Sequence, residues 1–96
     1  MHKVFVEYKV SPEFREAYIS FVRELQADQK GVEWLESADQ PCLFLEIWEV
    51  QTEEHVAQFR QERLQETDRE SRWNRLHRWI EGGPAKINVW RFRSTL

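Results

Sequence analysis

Residues 42–50 read Cys-Leu-Phe-Leu-Glu-Ile-Trp-Glu-Val. In an extended strand, successive side chains point to opposite sides. One side then carries Cys42, Phe44, Trp48 and Val50, and the other Leu43, Leu45 and Ile47. A sheet with one wet face alternates apolar with polar residues. This segment does not, so both of its faces need cover. Residues 85–93 behave alike, with Ile87 and Val89 on one side and Trp90 and Phe92 on the other. The whole chain has 96 residues, room for one domain over 1–96.

The other elements follow from period and punctuation. Residues 2–10 alternate as a strand, with Val4, Val6, Tyr8 and Val10 facing one way and Phe5, Glu7 and Lys9 the other. Ser11-Pro12-Glu13 is a helix-start signature, with a capping hydroxyl, a first-turn proline and an acid near the positive end of the dipole. Phe14, Tyr18, Phe21, Val22 and Leu25 form one apolar stripe to about Ala27, and Lys30-Gly31 stops the helix. A shorter strand is expected over 32–37, then a turn at Ala38–Pro41. Thr52 caps a helix over 53–65, with Val56, Phe59 and Arg63 facing inward, His55 at one edge and Leu64 at the other. After a polar break at 66–70, Trp73, Leu76, His77 and Ile80 predict a third helix over 70–81, ended by Gly82-Gly83-Pro84.

The order β-α-β-β-α(α)-β is that of an α+β, ferredoxin-like domain, a four-stranded antiparallel sheet with helices on one face. The opposite face would carry Phe5, Phe44 or Leu43, Trp48 and Trp90, and no element is left to cover it. A patch of that kind marks an interaction surface. A second copy packed sheet to sheet covers it most economically, so a homodimer, a dimeric α+β barrel, is expected.

Composition excludes several classes. Apolar runs are short, such as Leu43–Leu45, against the ~20 residues of a membrane span. No signal-peptide pattern is present, and a cytoplasmic location is the expectation. The lone Cys42 makes neither an intrachain disulfide nor a zinc motif. Net charge is −3, without the basic footprint of a nucleic-acid binder. Charge is uneven: 5 basic against 12 acidic residues up to position 59, then 9 against 5. Arg69, Arg72, Arg75 and Arg78 recur every third residue among acids, as on a solvated face. Phosphate-binding glycine loops, nucleophile elbows and two-histidine metal motifs are missing.

Glu46-Ile47-Trp48-Glu49-Val50, followed by His55 and Phe59 in the next helix, resembles the dimeric α+β barrel superfamily, and within it the antibiotic-biosynthesis-monooxygenase-like domains. The resemblance implies a small-molecule-binding homodimer, with cofactor-independent oxygenation of an aromatic substrate as the enzymatic form. Glu46 or His55 would be the proton acceptor, His77 its partner at the cavity edge, and Trp48 and Trp90 the pocket walls, with Trp73, Phe44 and Asn88 as further ligand contacts. No cofactor is required for that chemistry. The alternatives are haem binding or degradation with His77 as iron ligand, and a non-catalytic dimerisation or stress-response module. The chain departs from the haem-degrading members in lacking an asparagine in its first strand, and from minimal domains in its third helix.

Physical chemistry offers a second role for Glu46. A carboxylate between Phe44 and Trp48 needs a partner or a raised pKa. Arg63, Arg91 and Arg93 are the candidate partners, across the sheet or a dimer interface.

Overall fold

A computed structural model describes residues 2–29, 31–65 and 67–95. Strand β1 (His2–Lys9) leads through a 3-10 turn (Pro12–Phe14) into helix α1 (Arg15–Asp28). Strands β2 (Glu33–Glu36) and β3 (Leu43–Val50) form a hairpin, and helices α2 (Glu53–Gln65) and α3 (Arg72–His77) precede strand β4 (Asn88–Arg93). The sheet runs β2-β3-β1-β4 and every pairing is antiparallel. This is the expected α+β ferredoxin-like arrangement.

Register assigns the faces. Val4 lies opposite Trp48 and Arg91, Val6 opposite Glu46 and Val89, and Tyr8 opposite Phe44. These residues face the helices. Val4, Val6, Tyr8 and Val10 are buried, and they pack with Phe44, Trp48 and Val50 against Tyr18, Phe21, Val22, Leu25, Val56 and Leu76. The other face carries Phe5 between Ile47 and Trp90, with Lys3 beside Phe92 and Glu7 beside Leu45 and Asn88. Two assignments to that face are thereby corrected. Phe44 and Trp48 belong to the helix side, because pairing with Tyr8 and Val4 locks their parity. Leu43, Leu45 and Ile47 are the β3 residues of the helix-free face.

Boundaries moved where tertiary bonds compete with local signals. The third helix spans six residues rather than the expected twelve. Ser71 caps it, accepting from the Trp73 amide at 3.2 Å, so it starts at Arg72. Beyond His77 the chain is captured by the end of β1: Ser11 N–H donates to the Trp79 carbonyl, Glu81 N–H to the Lys9 carbonyl, and Ile80 bridges Val10. Residues 78–80 close in i→i−3 turns instead of continuing the α-helix, and the bonds to the β1 end hold them there. At the start of α1 the Ser11 side chain makes no capping bond; its carbonyl accepts from the Phe14 amide and closes a 3-10 turn instead. The last strand begins at Asn88, because Gly83 (φ +74°) and Pro84 set a 3-10 turn over 84–86. Lys30, part of the expected helix stop, and Glu66, in the expected polar break, lie outside the described residues.

The β2–β3 hairpin is tied to α1 at one carboxylate. Glu36 accepts from Arg15 Nη2 at 2.5 Å and Nε at 3.2 Å, and from the Cys42 amide at 3.0 Å. Cys42 is the one described non-glycine residue with positive φ, +67°, a strained conformation for a side-chain-bearing residue. The bond from Arg15, then that from the Cys42 amide, holds the Glu36 pKa below its ordinary 4.5. A group depressed in the folded state stabilises above its unfolded pKa, and that contribution is lost as pH falls through the folded value. Stability should therefore drop from pH 4.5 downward, and Glu36→Gln should flatten that part of the profile of melting midpoint against pH. An unchanged acid limb in Glu36→Gln would assign the loss to other carboxylates.

Candidate functional site

Two constellations lie on opposite faces of the sheet. On the helix side, Glu46 is fully buried at the centre of β3. Arg63, 1 % exposed on α2, reaches it with both terminal nitrogens: Nη1 to Oε1 at 2.7 Å and Nη2 to Oε2 at 2.6 Å. Trp48 Nε1 also donates to Oε1, at 2.7 Å, and the Tyr8 hydroxyl donates to Oε2. Each carboxylate oxygen thus takes two donors, filling the acceptor sites of the group. Tyr8 has spent its only proton, so the Tyr18 hydroxyl donates to Tyr8, at 2.7 Å.

The electrostatics agree with this closure. Burial, then the neighbouring Glu46, pushes the Tyr8 phenol well above its ordinary range, and the same two causes raise Tyr18. Burial pulls the Arg63 guanidinium down, but Glu46 more than offsets it and the net direction is upward. The Arg63 guanidinium carbon lies 3.9 Å from the Trp73 ring centroid and 5.3 Å from that of Phe59, a cation held among aromatic rings.

The second constellation is a concavity of about 630 Å³ on the helix-free face. Phe5, Leu45, Trp90 and Phe92 wall it, with Phe5 and Phe92 edge to face at 5.2 Å between centroids. Trp90 and Phe92 are 54 % and 56 % exposed in the single chain. Lys3 stands at one end and Glu7 at the other, where the Asn88 amide donates to Glu7 at 3.3 Å; Arg93 borders the Lys3 end but pairs with His2, on the parity of the helix side. The volume is in the range of small-molecule sites.

The expected site residues are therefore divided. Trp48, Trp73, Phe44 and Glu46 share the helix side, whereas Trp90 and Asn88 lie on the other, so the five proposed ligand contacts do not wall one pocket. His55 is exposed in the first turn of α2, its amide donating to Thr52 Oγ1 at 3.1 Å. His77 is buried, and its Nε2 donates to the Arg63 carbonyl. Of the three arginines offered to Glu46, Arg63 reaches it within the same chain, while Arg91 lies 3.6 Å from Glu53.

Tyr8 and Tyr18 were not singled out as site residues. Their signal was a pair of hydroxyls on otherwise apolar faces, which must find acceptors when buried. Lys3, Glu7, Phe92 and Leu45 were also missed, although the alternation of β1 and β4 places them beside Phe5 and Trp90.

His77 is poorly placed as a haem ligand: with Nε2 engaged, only Nδ1 is left for iron, and the adjoining depression mixes apolar Leu64 and Pro84 with polar Gln65, Thr67, Arg69 and Asn74. Titration with haemin should accordingly give no Soret shift that depends on His77; a shift abolished in His77→Ala would reverse this conclusion. Among the described residues, no group of three His, Cys, Asp or Glu side chains is placed to hold a metal ion. No described helix is long and apolar enough to cross a membrane.

No protein-family model and no curated protein matches the sequence. Solved structures do match the fold. One is the crystal structure of an antibiotic biosynthesis monooxygenase, at a TM-score of 0.71 and 16 % identity over the full length of both chains. A second, from Nitrosomonas europaea and provisionally described as an antibiotic biosynthesis monooxygenase, aligns at 0.68 and 18 % identity, also over both full lengths. The chain is an α+β domain with the ferredoxin-like fold that it shares with these two structures. At these identities the likeness establishes that fold and carries no chemistry with it.

Proposed function

We propose that this chain works as a homodimeric α+β barrel that binds a small aromatic molecule on the helix-free face of its sheet. The observation that carries this reading is the 630 Å³ concavity walled by Phe5, Leu45, Trp90 and Phe92. Two exposed aromatic rings on an apolar face cost solvation free energy unless a partner covers them. A twofold pairing of sheets covers them and roofs the concavity of each copy.

The reading is one of binding. Oxygenation, the activity named for the two fold relatives, needs a proton acceptor facing the ligand. Of the two acceptors expected, Glu46 lies on the far side of the sheet with its oxygens occupied and His55 is on the outer surface of α2, so Glu7 is the carboxylate that borders the concavity. Titration with naphthalene, followed by quenching of tryptophan emission, tests the site. One molecule per chain is expected, bound at least tenfold more weakly by a folded Trp90→Ser variant. Unchanged affinity in that variant would place the ligand elsewhere and end the proposal.

A further inference from the structure

The charges of the helix-free face are ordered so that the face fits its own copy. Lys3, Phe5 and Glu7 follow one another on that face of β1. At about 3.3 Å per residue, Lys3 and Glu7 are ~13 Å apart along the strand, one on either side of Phe5. Asn88 donates to one oxygen of Glu7, which orients the carboxylate and leaves its other oxygen to accept. Among the described residues, neither Lys3 nor Glu7 has an ion-pair partner within its own chain. Between the two charges the sheet presents a row of Ile47, Phe5 and Trp90 across β3, β1 and β4, with Glu33 next to Ile47 on β2 at the outer edge.

Resting on the homodimer proposed above, we infer that its twofold axis crosses the strands at the level of Phe5, so that Lys3 of each copy pairs with the partner's Glu7. Packed sheets keep their strands within about 30° of one another at a separation of ~10 Å, a gap that a lysine and a glutamate reaching toward each other span. A twofold axis between two facing sheets lies parallel to them, and its direction decides which charges meet. An axis running along β1 sets Lys3 against the partner's Lys3 and Glu7 against the partner's Glu7, and like charges repel. An axis along the strands between β1 and β3 brings Lys3 to the partner's Glu49, since Glu49 is the cross-strand neighbour of Lys3. It also lays Trp90 on the partner's Glu33, which sets a carboxylate against the ring that most needs cover. An axis across the strands lays each strand on its own reversed copy. Ile47, Phe5 and Trp90 then cover themselves, Glu33 stays in water at the rim, and the Lys3–Glu7 pairing is made twice.

Charge reversal tests the axis. The full chain is compared with Lys3→Glu, Glu7→Lys and the double variant Lys3→Glu/Glu7→Lys by sedimentation velocity over a range of concentrations, at low and high salt. A thermal melt of each variant checks that it is folded. Each single reversal turns two attractions into two repulsions and should raise the dimer dissociation constant roughly tenfold at low salt. The double reversal restores both pairs with their signs exchanged and should bring the constant back to within a few-fold of wild type. High salt should compress all of these differences. Lys3→Glu makes the chain more acidic and Glu7→Lys less so, and weakening in both therefore excludes net charge as the cause. Single reversals without effect would place like residues opposite one another. A double variant as weak as Lys3→Glu would pair Lys3 with the partner's Glu49. Either result overturns this axis and leaves the dimer standing, whereas a wild-type chain that stays monomeric at every concentration removes the dimer and this inference with it.

Discussion

Arg63→Met should be among the most damaging single substitutions in this protein. It strips Glu46 of two of its four donors and leaves a buried carboxylate without a counter-charge. Removing one partner of a buried ion pair costs about 3–5 kcal/mol. For a domain of this size each kcal/mol moves the melting midpoint by roughly 4–8 °C, so the variant should be largely unfolded or nearly so at 37 °C. Glu46→Leu should be comparably harmful, because it leaves the Arg63 guanidinium buried and removes the acceptor of Tyr8 and Trp48.

The double variant Glu46→Leu/Arg63→Met is the informative one. It removes both charges and leaves two neutral donors without an acceptor, at about 1–3 kcal/mol each. It should therefore be more stable than the sum of the two single losses predicts, by a coupling free energy that urea denaturation of all four proteins would measure. If Arg63→Met alone costs less than ~1 kcal/mol, the pair is more hydrated than its burial implies. The energetic role assigned to it here would then be wrong.

Trp90→Glu should break the homodimer proposed above into monomers. The side chain sits opposite Phe5 at the middle of the helix-free face. A carboxylate there would have to leave water on association, without a partner of opposite sign at the centre of the patch. A hundredfold rise in the dimer dissociation constant, equivalent to roughly 2.8 kcal/mol, is a conservative expectation. Sedimentation velocity over a range of concentrations reads it directly. Gln61→Glu, which adds the same charge on the exposed surface of α2, should leave the dimer intact. A wild-type chain that sediments as a monomer throughout would remove the dimer and the roof over the concavity together. Loss of dimer in both variants would point to net charge rather than to this face.

Much of the fold was legible because alternation and helical period are local. The three buried valine-and-tyrosine positions of β1, the two-sided apolar character of β3, the stripe of α1 and the bounds of α2 were all written in spacing. Thr52 as the cap of α2 was likewise a matter of short range. The third helix was not, since its apolar spacing continues to Ile80. Its length is limited by backbone bonds to Lys9 and Ser11, some seventy residues away in the chain. The extent of the last strand was also misread, because Gly83 and Pro84 hold the first residues in a turn before the sheet can take them.

The candidate site was legible in part and then misassembled. That Glu46 needed a partner followed from its two apolar neighbours, and Arg63 was among the three arginines within imagination. Which of them reached it depended on the placement of α2 over β3, which no local pattern encodes. Phe44 and Trp48 were placed beside Trp90 because an aromatic residue fits either face equally well. Only the pairing of Val4 with Trp48 and of Phe5 with Trp90 separates them.

The amino-acid order by itself determined the elements, their succession and the existence of two apolar sheet faces, since each of these is a property of neighbours along the chain. The tertiary structure decided which face each aromatic ring joined, which guanidinium closed around Glu46, and where a cavity remained. Those outcomes turn on strand register and helix position, which are settled by contacts between residues far apart in sequence.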